Sequence, residues 1–334
     1  MQENKPNISV VIPTLNRSEK LSKCLDSLFD QSYPKNRYEI IVGNGSSKDN
    51  TEYVLAEYQK KAPCNFSWFT QEHAGISHAR NLCISKSKGD IICFIDDDCI
   101  AEKNWITNIV GGFSDDTIGA VGGKVISYQT KTPVQEYIED SEILSQERFM
   151  SKNKLITSNA AYRRQILNDI QGFDNFLIAC EDVDISIKTQ LLGFKLHFVP
   201  QAIIYHNHAE TVNGLLYRSY RNGRGLVQLH KKYGIHYNLA YNTSISLYRI
   251  GAIILRYPIT LTSALFTKKN KYYILKPLFE IIRSGGLTWG IVRETLVGEE
   301  YTGDRIQSHV DFIEFMDDKS VFALLPKLKK KIFG

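Results

Sequence analysis

Three consecutive carboxylates, Asp96-Asp97-Asp98, close an apolar run that reads DIICFID over residues 90–96. Unpaired carboxylates this close repel one another, and a divalent cation relieves the repulsion. An oxygen-rich cluster suits Mg²⁺ or Mn²⁺, which in turn bridge phosphates; the plain alternative is a solvated acidic loop. A second acidic group, Glu181-Asp182-Val183-Asp184, stands at the start of a helical pattern. Carboxylates there either cap a helix N-terminus or act as a general base toward a hydroxyl, and one residue can do each. Tyr205-His206-Asn207-His208 follows a short apolar run. Alternating histidines there can turn one imidazole inward as a metal ligand, His206 before His208 because it comes directly off the run, or can be structural. Arg80, in GISHARN, suits either a phosphate or a surface ion pair.

These residues need a scaffold, and the first hundred residues alternate two periodicities. Apolar runs at Ile8–Pro13, Tyr38–Gly43, Phe66–Gln71 and Asp90–Asp96 predict strands; Arg17–Asp30, Asp49–Lys61 and Ile76–Lys86 predict helices. Unbroken apolar strands alternating with amphipathic helices argue for a parallel sheet covered on both faces. Ligands of such sheets bind outside the carboxyl ends of the strands. That points to Pro13-Thr14, to Gly43-Asn44-Gly45-Ser46 and to Asp96-Asp97-Asp98. Further on, a strand is predicted at Ala120–Tyr128, a long helix-like stretch at Val134–Met150, and a helix over 183–192 with Gly193 as its C-cap. Short strands follow at Lys195–Val199 and Ala202–Tyr205.

Charge divides the chain. Residues 216–334 carry 19 Lys and Arg against 9 Asp and Glu, a net of +10, which leaves residues 1–215 at −5. We therefore expect a boundary near residue 215, with a basic, mainly helical region of 216–334 behind it. No zinc finger, RNA-recognition signature or Lys/Arg-dense helix accompanies the excess, so nucleic acid is not an expected partner. Ser244–Phe266 is apolar and of spanning length, but Arg249 and Arg256 interrupt it. A central Arg costs about 2.5–3.5 kcal/mol on the insertion scale, so an interfacial helix, or one packed on the catalytic domain or a sister subunit, fits better than a span. The six cysteines form no C-x-x-C pair and read as reduced thiols. The N-terminus shows no basic region followed by an apolar one, so no secretory leader is expected.

Seven pieces together resemble the family 2 inverting glycosyltransferases of GT-A fold. They are VVIPTLNR at 10–17, NGSSKDNT at 44–51, GISHARN at 75–81, FIDDDC at 94–99, TSNAAYRR at 157–164, GFDNFLIACEDVD at 172–184 and YHNH at 205–208. Each is moderate alone; their order makes the resemblance specific, over roughly residues 7–210. It implies a Rossmann-like, mainly parallel α/β sheet flanked by helices in residues 1–215.

The resemblance also implies roles. Pro13, Thr14 and Arg17 would contact the donor nucleotide, Arg80 its phosphates, and Asn159 would shape the sugar pocket. The run Asp96–Asp98 would face the donor, Asp97 included, with Asp96 on ribose or metal and Asp98 ligating a Mn²⁺ or Mg²⁺ ion. His206 would be a further metal ligand, and Asp182 the base with Glu181 beside it. One departure stands out: the family's two acidic residues after the second strand are here Gly43-Asn44, so the Asn44 carbonyl oxygen would meet the base. The expected reaction is transfer from a nucleotide sugar, a UDP-sugar in the first instance, to a glycan or lipid-linked glycan hydroxyl. The expected setting is cytoplasmic, at the inner-membrane surface or as a homodimer. A dinucleotide oxidoreductase would need G-x-G-x-x-G after the first strand and a P-loop enzyme G-x-x-x-x-G-K-[ST]; neither is present. The remaining alternative is a non-catalytic relative that binds a partner at the membrane.

Overall fold

A computed structural model of the chain describes residues 6–72, 75–233, 244, 247, 248, 250–258 and 271–302. The predicted alternation forms as β1 (Ile8–Thr14), α1 (Ser18–Phe29), β2 (Tyr38–Asn44), α2 (Thr51–Lys61), β3 (Asn65–Thr70), α3 (Ile76–Lys86) and β4 (Ile91–Ile95). These four strands pair in parallel in the order β3-β2-β1-β4. Alternate residues of each strand feed opposite faces, as a pleat of period two requires. Val10, Ile12, Ile40 and Val42 pack with Leu21, Leu25 and Leu28 of α1 and Leu55 of α2, whereas Val11 and Ile41 pack with Cys83 of α3.

The chain then adds β5 (Cys99–Ala101), α4 (Trp105–Gly111), β6 (Ile118–Ser127), α5 (Pro133–Asp140), α6 (Gln146–Met150), β7 (Asn159–Arg163), α7 (Arg164–Asp169), α8 (Glu181–Leu191) and β8 (Lys195–His206). The eight-stranded sheet continues from β4 as β7-β6-β8-β5, with β7 antiparallel to β4 and β6, and β5 antiparallel to β8. Three local readings change. Val134–Met150 is two helices, because Ser145 starts a new cap by accepting from Arg148 N at 3.2 Å. The two short strands after Gly193 are one strand, β8, whose register against β6 shifts between Gly123 and Lys124. β7 and the three-residue β5 carry too little periodicity to be seen in sequence.

Helix α9 (Val212–Lys232) opens with Thr211 accepting from Gly214 N at 3.1 Å, so the expected boundary at 215 falls inside a continuous helix. α9 lies beside α10 (Lys271–Val297), and the two run in the same direction: Gly286 meets Leu216 and Ser219, and Gly290 meets Tyr220 and Arg224. A Cβ on Gly290 would stand 2.1 Å from Tyr220 O, so only glycine permits this approach. Leu215, Tyr272 and Phe279 bury a separate core against Val134, Tyr137 and Ile138 of α5. Among the described residues no helix is long and apolar enough to cross a membrane. Much of Ser244–Phe266, on which the membrane-surface expectation rests, lies outside the described residues.

Candidate active site

Asp96, Asp97 and Asp98 follow the end of β4 and lead straight into β5. β5 pairs with β8 so that Cys99 stands opposite His206, and Asn207 N–H donates to Asp98 O at 2.9 Å. This register sets His206 Nε2 3.4 Å from Asp98 Oδ1. One ligand atom each from Asp98, Cys99 and His206 falls within 4.8 Å of the others. Burial would raise the Asp98 carboxyl, but His206, Arg17, Lys20 and Arg218 together hold it below its ordinary value. Burial pushes His206 below 6.5, with Asp98 pulling the other way, so the ring is neutral, the form that ligates metal. The His206 Nδ1 atom is buried with no partner among the described residues. His208 stacks on His206 with ring centroids 4.9 Å apart and meets Ser127 Oγ through Nε2 at 2.8 Å; its Nδ1, like that of His206, is buried without a partner among the described residues. These residues fit a divalent cation.

The second acidic group faces the first through Arg80. Its Nη1 donates to Glu181 Oε1 at 2.8 Å and its Nη2 to Asp96 Oδ1 at 3.0 Å. Arg80 is buried, so the two bonds fix the distance between the carboxylate groups. α8 begins at Glu181 because Cys180 takes a left-handed conformation (φ 64°), and the carboxylates in its first turn suit the positive helix end. Asp182 Oδ1 accepts from Val183 N at 2.8 Å, and the residue keeps partial exposure. Burial, then the neighbouring Glu181, push its carboxyl up to about 7, against the pull of Arg80 and the backbone N–H. A carboxylate poised there is matched to taking a proton at neutral pH.

Five expected donor or catalytic residues take other roles in this structure. Arg80 is buried and clamps protein carboxylates through Nη1 and Nη2, with its Nε left without a partner among the described residues. Glu181 is committed to Arg80, which leaves Asp182 as the candidate base. Asp97 is buried and accepts from Thr14 Oγ1 at 2.8 Å and Arg17 Nη1 at 2.9 Å, so it ties β1 to β4. Asn159 is 0% exposed; it accepts from Trp105 Nε1 at 2.8 Å and donates to Lys124 O and Ala202 O, both at 2.9 Å. It laces the sheet and has nothing left for a sugar. Asn44 is also fully buried, its oxygen accepting from Ser47 N at 3.0 Å and its amide donating to Glu52 and Thr70. It closes its own turn instead of meeting a base.

Arg17 also bonds Asp98 Oδ2 at 2.8 Å, yet its side chain stays 47% exposed, so it remains at the open rim with Thr14 and Pro13 behind it at the end of β1. The sequence reading missed the contribution of α9. Arg218 has Asp98, Asp96 and Asp182 as charged neighbours, and Arg221 Nη2 donates to Ile178 O just before the base. The available signal was the Arg-x-x-Arg spacing in a helix starting right after the YHNH segment.

Comparison with known proteins agrees with this geometry. A family model described as "Glycosyl transferase family 2" matches residues 9–171, and one described as "Glycosyl transferase family group 2" matches residues 91–279. Glycosyltransferase AglE of Haloferax volcanii is 29% identical over 69% of this chain and 76% of its own length. O-antigen chain rhamnosyltransferase RfbN of Salmonella typhimurium is 29% identical over 61% of this chain and 67% of its own. The mannosyltransferase PcManGT of Pyrobaculum calidifontis, solved with GDP-Man and Mn²⁺, superposes with a TM-score of 0.63 at 18% identity, over 86% of this chain and 88% of that one. That likeness carries the GT-A fold. The second family match alone takes in more than half of the 334 residues, and this chain belongs to the family 2 glycosyltransferases.

Proposed function

We propose that the chain moves a sugar from a nucleoside-diphosphate donor to a hydroxyl of a growing glycan, in one displacement that inverts the anomeric carbon. The observation that carries this is the pairing, across Arg80, of a cation-fitting group at Asp98 and His206 with a carboxylate at Asp182 held near neutrality. Asp182 takes the acceptor proton as the new bond forms. Asp98, ionised, and His206, neutral, would hold a Mn²⁺ or Mg²⁺ ion, with Asp96 as a further candidate ligand. That ion supplies charge neutralisation for the departing diphosphate. The chain's own residues do the rest: Arg17 stands at the rim, and the Arg80 clamp keeps base and cation site at a fixed separation. With Asn44 turned inward, base selection by a UDP-sugar over a GDP-sugar falls to other groups of the rim. The relatives' names, an O-antigen chain transferase among them, support glycan assembly as the setting.

The test is a screen of UDP-, GDP- and dTDP-sugars for hydrolysis and transfer, with Mn²⁺, Mg²⁺ or EDTA, and the product anomer read by NMR. Turnover equal in EDTA would remove the metal from the mechanism. A retained anomer would replace the single displacement, and no turnover of any donor would favour a binding protein.

A further inference from the structure

α9 presents one stripe of residues to the segment that precedes the base. Arg218, Arg221 and Gly225 recur at three- and four-residue spacing and so share a face. Arg221 Nη2 donates to Ile178 O, and a Cβ on Gly225 would lie 2.6 Å from Ala179 O. Arg218 sits one turn nearer the helix start on this stripe, where its charged neighbours are Asp98, Asp96 and Asp182, with Arg221 the like charge beside it. Those carboxylates are already bonded elsewhere: Asp98 to Arg17 and His206, Asp96 to Arg80, Asp182 to Val183 N–H. Arg17, Arg80, Arg163, Arg224 and Arg293 each pair with a carboxylate. Arg218 has no ion pair and no hydrogen bond among the described residues. Its guanidinium, partly buried and set between two carboxylate groups, keeps a full set of donors in a planar fork that matches phosphate.

We propose that Arg218 is a diphosphate-binding residue, donating its fork to the terminal phosphate of the donor and staying on that phosphate as it leaves. This rests on the reading of the chain as a nucleoside-diphosphate-sugar transferase. In the reaction the bond from the anomeric carbon to the phosphate oxygen breaks, and its electron pair goes to that oxygen. The acceptor oxygen bonds the same carbon, and its proton goes to Asp182. The new charge on the phosphate oxygen arises where Arg218 can accept it as a partner. With Arg218 in this role α9 contributes to the active site, beyond the membrane-surface association or oligomerisation expected of residues 216–334.

The experiment is calorimetry on the full chain with Mn²⁺, titrating UDP, UMP, GDP and GMP into wild type, Arg218→Gln and Arg218→Lys. For whichever diphosphate the wild type binds, Arg218→Gln should lose about ten- to a hundredfold in affinity, the range for a lost charge-assisted bond. Binding of the matching monophosphate should stay nearly unchanged. Arg218→Lys should recover part of the loss, because it keeps the charge without the fork. A diphosphate affinity equal to wild type in Arg218→Gln overturns the proposal. So does an equal loss for mono- and diphosphate, which would place Arg218 on the carboxylates alone. If Arg218→Gln does not fold, Arg218→Lys decides, and no selective loss of diphosphate in it overturns the proposal. A wild type that binds none of the four nucleotides overturns the functional reading itself.

Discussion

Glu181 gives its carboxylate to Arg80 at 2.8 Å, while Asp182 beside it stays partly exposed with its carboxyl pushed up to about 7. Asp182→Asn keeps the shape and the Val183 bond but cannot take a proton, so kcat should fall about 10²–10⁴-fold with donor affinity nearly intact. A steady-state kcat close to wild type would place the base elsewhere. The raised carboxyl is protonated and idle below about 7, so kcat/KM should rise with pH through that value. Glu181 contributes to the elevation, so Glu181→Gln should move this limb to lower pH; a limb that stays put would assign the elevation to burial alone. Stability runs the opposite way. The proton that folded Asp182 retains stabilises the fold fully below its unfolded value of 3.8, and this contribution is lost as pH rises to about 7. Asp182→Asn should therefore melt higher than wild type at pH 8.

At the scale of elements, the Gly43-Asn44 departure has a packing cause. α3 comes down on the end of β2 so closely that a Cβ on Gly43 would lie 2.8 Å from Ala79 O and 3.0 Å from Cys83 Sγ. Backbone cannot give way there, so the acidic residue that the family resemblance would place at 43 has no room in this chain. The same close docking brings Arg80 of α3 into reach of both Asp96 and Glu181. Gly43→Asp should cost about 1–3 kcal/mol, typical of overpacking, measured as a lower midpoint in urea. An unchanged midpoint would mean that α3 moves freely against the sheet. The loops after β1 and β2 are knitted as well: Lys48 N donates to Asn16 Oδ1 at 2.6 Å, and Asn16 N to Ser47 Oγ at 2.8 Å. Both turns use left-handed residues, Asn16 (φ 53°) and Ser46 (φ 59°). The rim where a nucleotide would sit is thus held from both sides.

Across the whole molecule, the α9–α10 pair is wired into α8, the helix that carries Asp182. Lys232, at the end of α9, is buried and reaches Asp184 at 2.9 Å and Asp174 at 2.6 Å; Tyr233 Oη donates to Asp184 at 3.0 Å. Asp184 is one turn into α8, so this network fixes the pitch of the helix whose first turn carries Asp182. Lys232→Met leaves Asp184 with Lys188 and Tyr233 only, and should destabilise the fold by about 3 kcal/mol, since removing one partner strands a buried charge. Chemical denaturation checks this; a change within error would show that Lys188 suffices. Arg224 and Gln228 hold Glu294 of α10 in the same way, so α10 follows α9 rather than forming an independent unit.

Local sequence determined much of this protein. Largely apolar runs became β1, β2 and β4 within a residue or two, because a strand buried on both faces takes a polar side chain only where it finds a partner, as Ser9 and Glu39 find each other. The places of the acidic runs, 96–98 after β4 and 181–184 at the start of α8, and of His206 at the end of β8 were legible because strand ends and helix starts are the places where charge has a use. What each residue touches was not legible. Asn159 and Asn44 look like site residues, and only the sheet register and the turn show that their amides are consumed internally. Arg80 reads as either a phosphate ligand or an ion-pair partner, and only the docking of α3 shows it between Asp96 and Glu181. Arg218 is marked only by its three-residue spacing from Arg221, and its meaning comes from α9 folding back over residues nearly forty positions and more away in sequence. Residue type and local period fix which groups are available; non-local packing decides whether each is left open to a ligand or spent on the protein.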